Sequence, residues 1–430
     1  MSSPGPIDRS VFEKRLAKRY RNEAMFRFAG LAAIGVALGM LVLLLGSVLF
    51  RGLPAFETHL VTLELELEAD RVDPNGDGTR QSLRSGSYAA VIKSALYAEF
   101  PDVSGRSAKR RLTALVSRGA AFDVQDAVLE DRSLVGRTLT FDLPLSDDAV
   151  LYLQGHVDRE APESMRRLSD DQIDAIDHMV AAGMVHSRFN TAFLTGGDSR
   201  EPELAGVGGA LWGSLYTLVV TLLLSFPVGV AAAIYLEEFA PTNRWTDFIE
   251  VNINNLAAVP SIVYGLLGLA VFLGFFGLTR SAPFVGGMVL SLMTLPTIII
   301  ATRASLLAVP PSLRQAAMGV GASPLQVVFH HVLPQALPGI LTGTIIGMAR
   351  ALGETAPLLM IGMVAFVADV PSSFKDPSTV LPVQIFLWSD APERAFAEKT
   401  AGAIIVLLGF LFVMNGAAVW LRRRFERPVA

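Results

Sequence analysis

The chain has 430 residues, 51% of them hydrophobic, with 36 Lys and Arg against 40 Asp and Glu, a formal net charge of −4 and no cysteine. The lack of cysteine excludes disulfides, thiolate metal sites and cysteine nucleophiles. The lack of any G-x-x-x-x-G-K-[ST] string means that the chain holds no ATP of its own, and no paired nucleophile and base stands out, so no enzyme is expected.

The net charge matters less than its distribution. Phe28 to Phe50 carries no charge between Arg27 and Arg51, and the same holds for Leu204 to Leu236, Val251 to Thr279, Ser281 to Thr302 and Thr400 to Leu421. Each reaches the roughly 20 residues needed to cross about 30 Å of hydrocarbon at about 1.5 Å per residue. With a mean hydropathy of +0.45, the clustering argues for a polytopic inner-membrane protein over a soluble one.

In chain order, residues 1–27 form a basic segment with Arg9, Lys14, Arg15, Lys18, Arg19, Arg21 and Arg27. The first span follows at 28–50; "GSVLFRGLPAF" offers no small-x-small cleavage site, so it is an anchor and not a cleaved signal peptide. Residues 422–430 form a basic tail with Arg422, Arg423, Arg424 and Arg427, and the positive-inside rule puts both termini in the cytoplasm. These basic ends fit topology and anionic membrane lipid better than nucleic acid.

Residues 51–205 are charged and mixed, and are expected to form an α+β extracytoplasmic domain. "VTLELELEAD" reads as a strand, with a second strand pair at 138–143 and 149–154. Helices are expected at 88–99, 108–118 and 171–185, the last capped by Ser169 or Asp170. The string from Asp73 to Gly78 starts like a calcium loop, but Arg84 stands where a bidentate Glu is needed, so it reads as a turn. From 206 to 421 the chain reads as a five-span core at 209–235, 253–278, 284–307, 339–366 and 400–421, six spans in all. Gly35-x-x-x-Gly39 and Gly343-x-x-x-Gly347 mark places where helices can approach closely.

Residues 308–338 stand apart. "AVPPSLRQAAMGVGASPLQVVFHHVLPQALPGI" reads as a short helix from Pro311 or Ser312 to Val320, a break at Gly321, a second helix to His331 and a proline-limited turn. A pair of short amphipathic helices on a membrane surface is a docking device. His330 and His331 are adjacent, point to different faces and make no metal pair.

The spacing Gln315-Ala316-Ala317, then Gly321, then His331-x-Leu333-Pro334, resembles the EAA loop of ABC-importer permeases. Gln315 stands in place of the usual Glu and His331 in an apolar slot. "NLAAVPSIVYGLLGLAVF" and "GMARALGETAPLLMIG" are similar to the phosphate-transporter permeases of the PstA type, over about residues 206–421. Residues 51–205 resemble an N-terminal extension found in some members. The resemblance implies an all-α polytopic membrane protein with six transmembrane helices and a type I ABC-importer permease core, here with an inserted α+β extracytoplasmic domain. It implies a transport subunit in which Gln315, Ala316, Ala317, Gly321, Leu333 and Pro334 couple to a cytosolic ATP-binding subunit dimer. A second homologous permease subunit and an extracytoplasmic phosphate-binding protein are the other implied partners, phosphate the implied solute, and no cofactor is implied.

Read without the resemblance, Arg350 and Glu354 are charges inside a span, each costing on the order of 2.5–3.5 kcal/mol there. Four residues apart, they share a helix face and can pair. Either Arg350 passes an anion while Glu354 holds the arginine when the path is empty, or the two form a structural ion pair. Arg303 either lines the exit or snorkels to the interface. Ser261 and Tyr264 follow Pro260, which frees backbone groups to meet a substrate; a hydroxyl bonded to its own helix is the alternative. Permeases for sulfate, molybdate or phosphonate, a sensor or scaffold with a ligand-binding outer domain, and a secondary anion transporter are the rival readings.

Overall fold

The computed structural model describes residues 9–425 except Ala365, so Arg427 of the basic tail lies outside the described residues. The chain forms two compact units, Met1–Arg51 and Gly52–Ala430. The first is built on one unbroken helix, α1 (Arg9–Gly52), which covers the span expected at 28–50. Within it, Arg27 pairs with Glu23 one turn back at 2.5 Å.

The second unit opens with the inserted domain. Its sheet has the order β2-β1-β3, with β1 (Glu57–Glu66) antiparallel to both β2 (Thr138–Pro144) and β3 (Val185–Phe189). Leu63 pairs with Phe141 and His59 with Ser187. The period-2 alternation of β1 sends Val61, Leu63 and Leu65 inward and leaves Glu64 and Glu66 exposed, which makes β1 the central strand. Helices α2 (Tyr88–Glu99), α3 (Arg106–Thr113), α4 (Ala120–Glu130) and α5 (Asp170–Ala181) cover the inner face. They close a core with Leu96, Leu115, Ile176 and Met179.

The expected cap is present: Ser169 and Gln172 form a capping box at the start of α5. Residues 149–154 depart from expectation. All but Gln154, the C-cap, lie in a helix, Asp147–Leu153, whose first turn holds Asp147 and Asp148, acids that suit the helix dipole there. Asp73 folds the loop that follows β1 into the expected turn, accepting from the Gly78 amide at 2.7 Å and from the Ser82 hydroxyl.

The membrane core consists of α6 (Gly208–Ile234), α7 (Arg244–Ala257), α8 (Ser261–Gly268), α9 (Pro283–Leu307), α10 (Pro311–Gly319), α11 (Leu333–Leu352), α12 (Ala356–Met360), α13 (Leu381–Ser389) and α14 (Ala395–Phe425). Widened, π-helical turns extend three of them, at Tyr235–Phe239 after α6, Leu269–Phe275 after α8 and Val327–Val332 before α11. Among the described residues five helices are long and apolar enough to cross a membrane, and six if one bent pair counts as a span.

That bent pair replaces the straight span expected at 253–278: Arg244–Ala257 meets Ser261–Phe275 at 100°. Pro260 lacks the amide that would continue the ladder and biases Val259 away from helical angles. The Tyr264 hydroxyl donates to the Leu256 carbonyl across the break at 2.7 Å. The span expected at 339–366 is likewise interrupted. Helix α11 ends at Leu352, where Gly353 is a poor helix former and Pro357 cannot donate back to it.

Helices α6, α9 and α11 pack as the centre of the core. An alanine methyl at Gly343 would overlap the Ala301 methyl of α9, and one at Gly347 would sit 3.7 Å from Thr297. So α9 and α11 run antiparallel in close contact. At one end of the core, α13 and the starts of α6 and α14 meet the inserted domain around Phe193, Trp388 and Phe396, whose rings contact one another in series at a tilt. At the other end lie the finish of α6 and α9 and the loop that carries α10.

Candidate functional site

The loop end is built as the sequence implies, with one difference. Helix α10 is followed by Gly321 at φ +91, a left-handed conformation that glycine adopts without strain. The second segment starts at Pro324, capped by a Ser323–Gln326 box. It does not end at a proline turn. The widened turn Val327–Val332 carries it straight into α11, absorbing the missing amide and ring bulk of Pro334. Within α10 Ala317 alone is buried, joined by Val327, Val328 and Val332 of the second arm, while Gln315, Ala316 and Gly321 are exposed and Leu333 and Pro334 half-buried. Met318, Val320 and Leu325 present an apolar surface, Val320 being 86% exposed.

Beneath α10 lies a network of charges. The last turn of the first core span supplies adjacent carboxylates, Glu237 and Glu238, and each takes an arginine from a different element. Arg303 of α9 donates to Glu237 at 3.2 Å and to Glu250 of α7 at 2.8 Å. Arg314 of α10 donates to Glu238 at 2.8 Å and to the carbonyls of Leu306 (2.9 Å) and Val309 (2.7 Å). The Leu306 carbonyl is in the last turn of α9 and the Val309 carbonyl just past it, where the helix end carries partial negative charge. The side chains of Arg303, Arg314, Glu237 and Glu238 are all largely buried, with 23%, 22%, 16% and 11% exposure.

Arg350 and Glu354 form a separate pair. Arg350 sits in the last turn of α11, where a cation suits the helix dipole, and its Nε lies 3.5 Å from a Glu354 carboxylate oxygen just past the helix end. The arginine is half-exposed (56%) and the glutamate mostly buried (18%). Helix α8 packs across this break: a methyl at Gly265 would sit 2.7 Å from Pro357 Cα and 2.9 Å from the Pro357 carbonyl oxygen. Ser261 opens α8 one turn before that contact.

The structure therefore brings Arg350 and Glu354 together, with Ser261 on the neighbouring helix, and holds Arg303 elsewhere. With Gly343 beside Ala301 in antiparallel helices, Arg350 lies level with about Thr294, nine residues or about 14 Å along α9 from Arg303. Glu237, Glu238, Glu250 and Arg314 escaped the sequence reading because each pair joins residues 53 to 76 positions apart. A signal existed in "YLEEFA", two acidic residues closing an otherwise charge-free run.

A cavity at the junction of the inserted domain and the core was also missed. It is lined by His59, Asp147, Gln154, Glu203, Glu398 and Lys399. Lys399 is 7% exposed, with its ammonium 5.0 Å above the Phe193 ring. Burial pushes the Glu203 and Asp147 carboxyls above the usual carboxylate range, and neighbouring carboxylates add to the shift. His156 faces Glu398 at 3.2 Å.

Multiple apolar spans and a two-helix surface loop are the features of a membrane permease subunit. Residues 225–427 match the family described as binding-protein-dependent transport system inner membrane component, and residues 13–163 match a domain of unknown function, DUF3333. The probable ABC transporter permease protein YqgI of Bacillus subtilis (strain 168) is 31% identical over 248 residues, covering 55% of this chain and 84% of its own. The phosphate transport system permease protein PstA of Mycobacterium leprae (strain TN) is 34% identical, over 51% of this chain and 71% of its own. The protein of that name from Haemophilus influenzae is 31% identical, over 50% and 74%. Among solved structures, the MetNI methionine ABC transporter in an inward-facing form aligns with 51% of this chain and 95% of that chain, at 19% identity and a TM-score of 0.43. The chain belongs to the ABC-transporter permeases, of the PstA type.

Proposed function

We propose that this chain forms half of the translocation pathway of an ATP-driven phosphate importer, with Arg350 and Glu354 at the gate. The observation that carries the reading is the pair itself: an arginine at a broken helix end whose carboxylate partner is 3.5 Å away and not in tight contact. A phosphate oxyanion matches the guanidinium fork better than a single carboxylate does. In the proposed cycle the anion replaces Glu354 on Arg350 as it passes, and Glu354 takes the arginine back once the anion has left. Neither state then leaves a lone charge inside the membrane, which would be costly. Ser261, on the helix packed over the break, offers a hydroxyl to the same path. Arg303 stands on the exit side as a counter-charge held by Glu237 and Glu250.

The proposed partners are a second homologous permease subunit, a cytosolic dimer of ATP-binding subunits docked on Gln315, Ala316, Ala317 and Gly321, and an extracytoplasmic phosphate-binding protein. Leu333 and Pro334 fix the second arm of the docking loop. In this arrangement both termini lie in the cytoplasm of a cell with an inner membrane, and the inserted domain at 51–205 lies outside. The names of relatives in Mycobacterium leprae and Haemophilus influenzae support phosphate as the solute.

The test is uptake of labelled phosphate at low external concentration, in cells lacking the gene and complemented with wild type, Arg350→Ala or Glu354→Gln. Wild type restores uptake, and Arg350→Ala, at equal membrane abundance, does not. Full uptake through Arg350→Ala removes the gate assignment. Uptake of sulfate or molybdate lost in place of phosphate reassigns the solute.

A further inference from the structure

Helix α10 has nine residues, too few to be stable alone in water, and buries only Ala317. Ala317, with half-buried Leu313, packs against Val309, Val327 and Val328, and Arg314 adds the polar hold. One planar guanidinium reaches three acceptors: the Glu238 carboxylate in the turn after α6, the Leu306 carbonyl in the last turn of α9 and the Val309 carbonyl just past it. Lysine has no such fork. The face of α10 turned away from the core, with Gln315, Met318 and Val320, is exposed.

We infer that Arg314 is a positioning residue for energy coupling, the strap through which a displacement of α10 is delivered to the last turns of α6 and α9 together. A partner that grips the exposed face moves α10, and without the strap α10 moves alone. Glu237 and Arg303 tie α9 to α6 and α7 independently, so the spans stay assembled when the strap is cut. The proposal rests on the reading that α10 docks an ATPase.

The experiment uses the complete complex in proteoliposomes, with permeases, ATP-binding subunits and binding protein, and phosphate as the solute. Capture of the ATP-binding subunits, ATP hydrolysis and phosphate uptake are measured for wild type, Arg314→Lys, Arg314→Ala, Glu238→Gln and a chain with residues 315–321 scrambled. In Arg314→Lys and Arg314→Ala, capture stays at the wild-type level while uptake per ATP falls about tenfold or more. Glu238→Gln, which keeps the carbonyl acceptors, falls less. Arg314→Lys with wild-type uptake per ATP overturns the proposal. So does a parallel loss of capture, hydrolysis and uptake in Arg314→Lys at a constant ratio, which makes Arg314 only a folding contact. The scrambled chain separates the two levels. If it still captures the ATP-binding subunits, the docking reading falls and takes this proposal with it. If it loses them while Arg314→Lys transports at the normal ratio, only the strap falls.

Discussion

Gly343→Ala tests how tightly the core depends on the contact between α9 and α11. The added methyl would overlap the Ala301 methyl, while ordinary carbon contacts lie near 3.5–4.0 Å, so the two helices must separate. Overpacking of this kind costs about 1–3 kcal/mol. Glycine to alanine also raises helix propensity by about 1 kcal/mol, which obscures the cost in a single variant. Gly409→Ala in α14 supplies the reference, because an added methyl there meets nothing within 4 Å. The propensity gain is common to both, so their difference isolates the overlap: Gly343→Ala should be less stable than Gly409→Ala by about 1–3 kcal/mol. Ala301→Gly in the Gly343→Ala background moves the methyl from one helix to the other, so overlap and propensity changes both cancel and the double variant should return to about wild-type stability. The assay is the fraction of purified protein that stays folded and monodisperse after heating, with all variants in one detergent. Equal stability of Gly343→Ala and Gly409→Ala, or a double variant clearly less stable than wild type, refutes the packing account.

Two further outcomes concern the junction cavity. Lys399 is buried with no carboxylate within ion-pair distance among the described residues, so Lys399→Met should raise thermal stability by about 1 kcal/mol; a lower melting temperature sinks this. Glu203 is held above the ordinary carboxylate range by burial, with Asp147 and Glu201 adding to it, so the folded state keeps its proton where the unfolded chain has released it. The stabilisation is full below the unfolded value and is lost as pH rises through the folded one. Relative to wild type, Glu203→Gln should therefore gain stability as pH rises from about 4 toward neutral, and a difference independent of pH refutes it.

The spans were legible because charge-free runs of membrane length leave few other readings, and the EAA-like spacing located α10 and the Gly321 break. Direction was not legible. Val251 to Thr279 is uniformly free of charge, yet the chain turns by 100° inside it. The signal was the amphipathic stretch before Pro260, with Asn252, Asn254 and Asn255 among the apolar residues. The same blindness hid the end of α11, although Gly353 and Pro357 bracket Glu354. The nearness of Arg350 and Glu354 was legible because their spacing is local. Arg303 and Arg314 were not placed, since their acids arrive from other helices. Of the two glycine pairs, Gly343 marks a real approach; within α1, methyls at Gly35 and Gly39 meet nothing within 4 Å. In the inserted domain the strength of β1 was plain, whereas β3, short and mostly exposed, had no hydrophobic pattern to betray it.

The widened turns at Tyr235–Phe239, Leu269–Phe275 and Val327–Val332 each hold one residue more than an α-helical path needs. Deleting a residue from a straight helix swings everything beyond it by about 100° and scrambles which faces touch. Deleting one from a widened turn lets the coil tighten and leaves the faces on either side in register. Val327–Val332, the one of the three that runs on into another helix, is thus slack in the chain, where its length can change by a single residue while α11 keeps its neighbours.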